Sequence, residues 1–298
     1  MGFTSWLVFL FMKTVVAKSI LENTAYFEGD IILTPYEREN IYKSNRFAST
    51  KSRWPTNVIP FDIHPSFGND AAALANLTMA INDYHKYTCL QFKRRTDEVT
   101  YILFYQGQGC GAPLGYHTGQ NRISLQGPGC FQKGVIIHEV MHNLGFYHEQ
   151  SRPDRDKYIR ILWNNINPSN MKDNFLKRTY DDVDSLGSPY DYLSIMHYPK
   201  DGFAKRGTNT IETLDRRFMD KIGQRKGFSK LDIQQVNKMY KCGGTTQTPI
   251  TAIKPLGCVD VYDRCSSYKR YCSASAWQSF LRKDCKKTCG FCGDQVRR

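Results

Sequence analysis

Residues 138–149 read His-Glu-Val-Met-His-Asn-Leu-Gly-Phe-Tyr-His-Glu, and this run predicts more about the chain than any other. His138 and His142 are four residues apart, so on a helix they share one face and can reach one metal ion. Glu139 lies beside them, where a carboxylate can take a proton from metal-activated water. Gly145 tolerates the positive φ of a sharp exit from the helix, which would bring back His148. Three protein ligands plus water is the coordination of a catalytic zinc ion.

Five fixed positions in this run, His-Glu-x-x-His-x-x-Gly-x-x-His, make the zinc interpretation specific. At average residue usage, a chain of this length matches five fixed positions by accident about once in ten thousand. Apolar side chains on the face away from the histidines predict the buried side of the helix, while the ligand face stays open: Ile136, Ile137, Val140, Met141 and Leu144. The pattern is the metzincin protease signature, so the chain resembles that group.

Two further stretches narrow the resemblance to the astacin family. Residues 145–156 continue Gly-Phe-Tyr-His-Glu-Gln-Ser-Arg-Pro-Asp-Arg-Asp, and residues 194–198 read Ser-Ile-Met-His-Tyr, similar to the family's Met-turn. The resemblance covers about residues 54–242. It implies that Tyr198 is a fifth zinc ligand that swings away and donates a hydrogen bond to the oxyanion. Met196 is interpreted as a core residue beneath the zinc ion.

The remaining pattern predicts an α+β fold. Strand-like runs precede the zinc helix at residues 58–63, 89–92, 101–105 and 122–125, and residues 70–87 have helical apolar spacing. A capping box at Ser229 and Asp232 predicts a final helix that reaches Tyr240. We expect a two-lobed metzincin catalytic domain, with a mixed N-terminal sheet and helices, an irregular C-terminal lobe, and a small disulfide-rich module after it.

The chain divides by composition into five predicted parts. Residues 1–17 are apolar and similar to a secretory signal peptide, and residues 18–46 are a polar, charged propeptide. The astacin-like domain spans residues 47–243, a Thr-, Gly- and Pro-rich linker spans 244–257, and a cysteine-rich module spans 258–292. No later segment is apolar and long enough to cross a membrane. The prediction is a secreted, extracellular protein.

Residues 27–30, Phe-Glu-Gly-Asp, are similar to a motif of astacin prosegments. The resemblance implies that Asp30 displaces the catalytic water and binds zinc in the latent form, and carboxylate oxygen is a competent zinc ligand. Activation then requires a protease that cuts near Arg46, with other basic positions at Arg38, Lys43 and Lys51. In the family the new amino terminus pairs through water with the glutamate after the third histidine, here Glu149.

Ten cysteines and a signal-like start predict disulfides. Four cysteines lie in the catalytic region, where sequence alone allows three pairings; the astacin resemblance implies Cys89–Cys242 and Cys110–Cys130. The last six have the spacing of ShK domains, which implies Cys258–Cys292, Cys265–Cys285 and Cys272–Cys289. An iron–sulfur site is disfavoured in a secreted chain. Channel block is also disfavoured, because residues 279–280 are Ser-Phe where the toxin has Lys-Tyr, so an accessory binding module is expected.

The net charge of +13 does not by itself indicate a nucleic-acid partner, because the basic residues are scattered and no nucleic-acid motif accompanies them. Asn76, in an Asn-Leu-Thr sequon, is a candidate glycosylation site. The histidines outside the motif have no ligand spacing and are interpreted as structural or surface residues: His64, His85, His117 and His197.

The sequence therefore predicts a secreted zinc metalloendopeptidase, made as a latent zymogen, with one Zn²⁺ in its catalytic domain. Its expected partners are protein or peptide substrates, with the extracellular matrix as one source, and an activating protease. Two alternatives stay open: a non-catalytic extracellular binding protein on a protease scaffold, and a matrix protein whose zinc is incidental.

Overall fold

The structure is a computed structural model that describes residues 23, 25–40, 53–67, 70–180, 183–243, 265–274, 278, 281, 282, 285 and 287–291. The predictions for the signal peptide, the cut near Arg46, the linker and the Cys258–Cys292 disulfide lie outside these residues. Across the described ranges, the helices are too short or too polar to span a bilayer. Residues 25–40 are called the N-terminal segment below.

The elements are numbered in chain order. The strands are β1 (Ile31–Ile32), β2 (Val58–Ile63), β3 (Gln91–Arg94), β4 (Tyr101–Tyr105), β5 (Cys110–Pro113), β6 (Gln120–Leu125), β7 (Ile159–Ile161) and β8 (Ile211–Thr213). The α-helices are α1 (Pro35–Asn40), α2 (Ala71–Tyr87), α3 (Lys133–Asn143), α4 (Lys230–Met239) and α5 (Cys265–Tyr268). Short 3₁₀ helices cover Pro65–Phe67, Gly129–Phe131, Glu149–Ser151, Arg155–Lys157, Trp163–Asn165, Ser169–Phe175, Arg216–Phe218 and Lys269–Tyr271.

A six-stranded mixed sheet forms the N-terminal lobe, in the order β1-β5-β6-β4-β2-β3. Strands β3, β2, β4 and β6 run parallel, β5 is antiparallel to β6, and β1 is parallel to β5. Ile102 and Phe104 on β4 are fully buried, as expected for a central parallel strand covered on both faces. Helices α2 and α3 contact each other beside the sheet. The predicted α+β class with a mixed sheet is confirmed.

Two strand boundaries differ from the prediction. β3 begins at Gln91 instead of Cys89, because Cys89 forms a disulfide with Cys242 and the parallel ladder with β2 starts at Gln91. β6 begins at Gln120, which pairs with Tyr101 and extends the strand by two residues over the predicted start at residue 122. Both shifts follow from pairing partners that are distant in sequence.

Capping side chains define where two helices that support the site begin, α2 and α4. Asp70 accepts hydrogen bonds from the amides of Ala72 and Ala73 and begins α2. Ser229 and Asp232 form the predicted capping box and begin α4. The Cys89–Cys242 disulfide then ties the residues after α4 to the N-terminal lobe.

The C-terminal lobe is mostly irregular, as expected. Its regular pairing is the antiparallel couple β7–β8. Its core is a second apolar cluster that includes Phe175, Tyr190, Tyr198 and Ile211.

In the C-terminal module, the described residues form one small apolar cluster. Cys265, Leu281 and Cys285 are its buried hydrophobic residues among those described. Disulfides join Cys265 to Cys285 and Cys272 to Cys289. The predicted disulfide-rich character of this region is confirmed, and small domains of this kind depend on such cross-links.

Candidate functional site

Helix α3 and the turn after it bring three imidazoles together. His138 and His142 lie one turn apart on α3, with 3.1 Å between their Nε2 atoms. Gly145 has φ of +105° and its amide donates to the His142 carbonyl, which ends the helix. The chain then returns, and the His148 ring lies 4.6 Å from the His142 ring and 5.3 Å from the His138 ring.

Each imidazole is oriented through its Nδ1 atom. His138 Nδ1 lies 2.8 Å from the carbonyl oxygen of Ile195, and His142 Nδ1 lies 2.8 Å from that of Phe146. His148 Nδ1 lies 2.8 Å from the Glu28 carboxylate. These acceptors favour the tautomer with hydrogen on Nδ1, so each Nε2 lone pair is directed to the common centre. The three nitrogens are donors that zinc prefers, and the residues present fit a zinc ion.

Asp30 occupies the point on which the imidazoles converge. Its carboxylate oxygens lie 3.0 Å from His138 Nε2, 3.2 Å from His142 Nε2 and 3.2 Å from His148 Nε2. Burial by itself raises the pKa of Asp30, but the neighbouring histidines His148 and His142 hold it well below its usual value. Within the described residues, these four side chains are the group whose ligand atoms could hold a metal ion.

A tight turn of the N-terminal segment presents Asp30. The backbones of Phe27 and Ile31 exchange two hydrogen bonds across the turn. Gly29 has φ of +81°, and a Cβ atom there would lie 2.7 Å from the Phe203 ring. The Asp30 carbonyl accepts from the amide of Ala112 on β5. The prediction that the ligand face stays open is therefore wrong for this form, since the N-terminal segment covers it and His138 is 1% exposed.

Glu28, which the sequence analysis passed over, also reaches the site. It is a non-glycine residue with φ of +46°, and its side chain is fully buried. One carboxylate oxygen lies 2.8 Å from His148 Nδ1 and the other 3.3 Å from Arg178 Nε. Its position inside the Phe-Glu-Gly-Asp motif, between Phe27 and Gly29, was the feature of the sequence that could have identified it as a site residue. Arg178 carries no such signal, because it lies in an irregular stretch.

Glu139 lies on α3 beside His138 and is fully buried. Neither of its carboxylate oxygens has a hydrogen-bond partner within the described residues. Burial, and secondarily the charge of Asp30, raises the pKa of Glu139 well above its usual value. A bound dication opposes that shift, because positive charge favours the ionised carboxylate. Beside the imidazoles, the site thus contains a carboxyl group that has no hydrogen-bond partner among the described residues.

The Met-turn lies beneath the imidazoles, held by α4. Ser194 Oγ donates to the Asp232 carboxylate at 2.7 Å, and the Ile195 amide donates to its other oxygen at 2.9 Å. Met196 is 2% exposed and belongs to the main core. Asp232 was predicted as a helix cap, and its second contact with the Met-turn required the tertiary structure.

Tyr198 follows the Met-turn and lies beside the third histidine. Its ring is 4.6 Å from the His148 ring. Its hydroxyl donates a hydrogen bond to the carbonyl oxygen of Glu28. The neighbouring His197 is fully buried and bonds through Nε2 to the Tyr190 hydroxyl, in keeping with the structural role expected for it.

Glu149 lines a cleft together with residues of the turn that contains His148. Its Oε1 atom accepts hydrogen bonds from the Asp191 amide at 2.7 Å and from Arg152 at 3.2 Å. Burial raises the pKa of Glu149 to about 8. The cleft is lined by residues that include Gly145, Tyr180 and Gln235. A buried carboxyl group of this kind can accept a cation.

His85 and His117, which the sequence predicted to be structural or surface residues, have hydrogen-bond partners outside the group of zinc-binding imidazoles. His85 accepts from the Phe92 amide, and His117 lies 3.2 Å from the Leu114 carbonyl. Asn76 lies on α2 and is partly exposed. The structure also joins Cys110 to Cys130, next to the start of α3.

Two family profiles match the chain. The profile described as Astacin (Peptidase family M12A) matches residues 46–241. The profile described as ShK domain-like matches residues 257–292.

Several curated proteins are similar to this chain. Zinc metalloproteinase nas-6 of Caenorhabditis elegans is 34% identical over 300 residues, which cover 92% of this chain and 86% of that protein. Blastula protease 10 of Paracentrotus lividus is 38% identical over 235 residues, which cover 72% of this chain and 38% of that protein. The chain spans 54% of zinc metalloproteinase nas-13 of Caenorhabditis elegans. It therefore covers about half or less of some relatives.

A solved structure is also similar. High choriolytic enzyme 1, a hatching enzyme zinc-protease from the medaka fish Oryzias latipes, is 38% identical with a TM-score of 0.60. The match covers 65% of this chain and 96% of that one.

Proposed function

This chain belongs to the astacin family of zinc metalloproteinases, and we propose that it is secreted as a latent precursor that is cut to give an active endopeptidase. Its zinc ion is held by His138, His142 and His148. Its substrates are the peptide bonds of extracellular proteins. The observation that carries the proposal is the convergence of the three imidazoles on Asp30, with Glu139 uncommitted beside them.

The proposed hydrolysis divides the work among the side chains. Zinc, when bound, would supply Lewis acidity that lowers the pKa of water to about 7. Glu139 acts as general base toward the attacking water and later as general acid toward the leaving amine. Tyr198 donates a hydrogen bond to the oxyanion that develops at the scissile carbonyl. In this structure the Tyr198 hydroxyl donates a hydrogen bond to the carbonyl oxygen of Glu28, and this contact supports the proposed role.

Latency in this proposal comes from the N-terminal segment. Asp30 takes the place that water needs, and the Glu28 carbonyl occupies the Tyr198 hydroxyl. A protease that cuts after a basic residue near Arg46 would release the segment. The new amino terminus would then enter the cleft beside Glu149, where a buried carboxyl group favours a cation. The cut position and the entry of the new terminus both stay predictions.

Secretion is supported by the composition at the start of the chain and by the cysteines. The apolar run in residues 1–17 precedes a chain with an even number of cysteines, which is typical of oxidising compartments. Expression in a secreting host, followed by amino-terminal sequencing of the protein in the medium, tests this part. Retention inside the cell would refute it.

The decisive test compares the mature protein with its Glu139→Gln variant. The wild type should hydrolyse members of a broad peptide library and lose this activity with a chelator. Glu139→Gln should retain stoichiometric zinc by elemental analysis and lose hydrolysis, since amide nitrogen and oxygen cannot serve as the base. Glu212→Gln, which removes a partly exposed surface carboxylate, is the matched control and should remain active.

Two outcomes would overturn the proposal. Full activity in a pure Glu139→Gln protein would remove Glu139 as the base. A wild-type protein that binds zinc and cleaves no peptide would favour a non-catalytic binding protein on this scaffold.

A further inference from the structure

Two of the three zinc-binding imidazoles are oriented by the backbone of the astacin domain, whereas the third depends on a side chain of the N-terminal segment. The Nδ1 atoms of His138 and His142 each lie 2.8 Å from a carbonyl oxygen of that domain. The Nδ1 atom of His148 lies 2.8 Å from the Glu28 carboxylate instead. The latency proposed above uses the Glu28 carbonyl and does not use this carboxylate.

The surroundings hold the Glu28 carboxylate in a defined place. Its side chain is fully buried, and its other oxygen lies 3.3 Å from Arg178 Nε. The backbone of Arg178 is anchored in turn, because its amide donates to the Ser151 carbonyl at 2.7 Å. Glu28 also has φ of +46°, which residues with a side chain rarely adopt and which persists where the surroundings require it. The contact between Glu28 and His148 is therefore a specific one.

This contact gives His148 a different environment from the other two ligands. A carboxylate that accepts the Nδ1 hydrogen of a zinc-binding histidine fixes the ring and makes its other nitrogen a better donor to the metal. A charged acceptor also forms a stronger hydrogen bond than a neutral carbonyl. Release of the N-terminal segment removes the Glu28 carboxylate, whereas the carbonyls that orient His138 and His142 remain.

We propose that Glu28 is a positioning residue of the zinc site, whose carboxylate orients His148 and strengthens zinc retention in the uncut precursor. Its role differs from that of Asp30, because it acts on the Nδ1 side of the ring and leaves the common centre of the imidazoles untouched. The cut that activates the enzyme then also weakens its metal site. The inference rests on the proposed function only for this last step, since the role of Glu28 is tested in the uncut chain.

The test compares zinc binding by four forms of the full-length precursor: wild type, Glu28→Gln, Asp30→Ala and the double variant. The zinc dissociation constant is measured by competition with a chelator of known affinity. Glu28→Gln keeps the side-chain volume and removes the charge, so it should raise the constant about 10-fold, at the lower end of the range for such partners. Glu39→Gln, which removes an exposed carboxylate of the same segment, should bind zinc as the wild type does.

The double variant separates positioning of His148 from a merely structural role. If Glu28 acts on His148, Glu28→Gln should raise the zinc dissociation constant by a similar factor with Asp30 present and with alanine in its place. If Glu28 only helps to place Asp30, its effect should disappear in the Asp30→Ala background. Such a cycle measures the coupling between two residues directly.

A spectroscopic measurement on the unmutated precursor keeps the test decisive if a variant folds poorly. In the proton NMR spectrum of the zinc-loaded precursor, the Nδ1 hydrogen of His148 should resonate further downfield than those of His138 and His142. The reason is that a carboxylate is a stronger acceptor than a carbonyl oxygen. In Glu28→Gln the His148 signal should move upfield, and the other two signals should stay in place.

Three results would overturn the role of Glu28: an unchanged zinc dissociation constant in Glu28→Gln, loss of its effect in the Asp30→Ala background, or a His148 signal no further downfield than the other two. Equal zinc dissociation constants before and after the cut would overturn the link to activation. A zinc-loaded protein that hydrolyses no peptide after the cut refutes the proposed function instead, and the measurements on the uncut precursor are independent of that result.

Discussion

Replacement of Asp30 by alanine in the uncut precursor should release activity without proteolysis. The Asp30 carboxylate lies 3.0–3.2 Å from the Nε2 atoms of all three histidines, and it is the group that excludes water from their common centre. Alanine removes this carboxylate and leaves the rest of the turn, including the paired backbones of Phe27 and Ile31.

The size of the effect follows from the contacts that are lost. With zinc bound, each Nε2 lone pair would face the metal, so the Asp30 carboxylate would act as a charged ligand and not as a hydrogen-bond partner of the imidazoles. The scale of this one interaction is taken as that of a hydrogen bond to a charged group, about 1.5–3 kcal/mol. We therefore assign the Asp30 carboxylate about 2–3 kcal/mol. At about 1.4 kcal/mol per tenfold change, the open fraction of the precursor should rise by about 30- to 150-fold. The apolar contacts of Phe27 and Ile31 with Leu114 and Tyr147 remain, so latency should be weakened and not abolished.

The assay measures hydrolysis of a fluorogenic peptide by the precursor, with the intact mass determined before and after. Asp30→Asn, which keeps the shape but not the charge, should lie between wild type and Asp30→Ala. Glu39→Ala, an exposed carboxylate of the same segment, should stay latent. The reasoning fails if intact, zinc-loaded Asp30→Ala is as inactive as wild type although subsequent cutting activates both.

Three other substitutions probe separate parts of the structure. Tyr198→Phe should lower kcat of the mature enzyme by about 100-fold with zinc content unchanged, and full activity would exclude its oxyanion role. Gly134→Ala would place a Cβ 1.8 Å from the Arg225 carbonyl oxygen, so calorimetry should show a Tm lower by several degrees. Burial lowers the pKa of His197 from 6.5 to about 4, so about 3 kcal/mol of stability present above pH 6.5 should be lost as pH falls toward 4. His197→Gln should make this pH dependence of thermal unfolding shallower, and an equal slope would refute the assignment.

The zinc ligands could be predicted because their geometry is local. The spacing of His138 and His142 becomes one face of α3 by the helical period alone, and Gly145 sets the exit toward His148. The capping box of α4 and four of the strands, β2, β3, β4 and β6, followed from equally local patterns, whereas β1, β5, β7 and β8 were not predicted. The proximity of side chains within one contiguous run depends little on how the rest of the chain is arranged, although the orientation of His138 and His148 also depends on Ile195 and Glu28.

The pairing of distant residues could not be derived in this way. Four cysteines of the catalytic region left three pairings, and the structure joins Cys89 to Cys242 across 153 residues. Asp232 was identifiable as a cap, yet its bonds to the Met-turn depend on where α4 docks. The choice among such contacts is made by the packing of whole elements, which single-sequence patterns do not contain.

Sequence alone thus determined the three zinc ligands. One turn of α3 places His138 near His142, and the turn at Gly145 returns the chain so that His148 lies close to both. Only the tertiary structure decided what faces those ligands. Glu28 and Arg178 meet because the sheet edge at β5 and the loop after His148 hold the two ends of the pair at 3.3 Å. Contacts between segments far apart in the chain depend on its path in space, and neither residue signals the other in its local pattern.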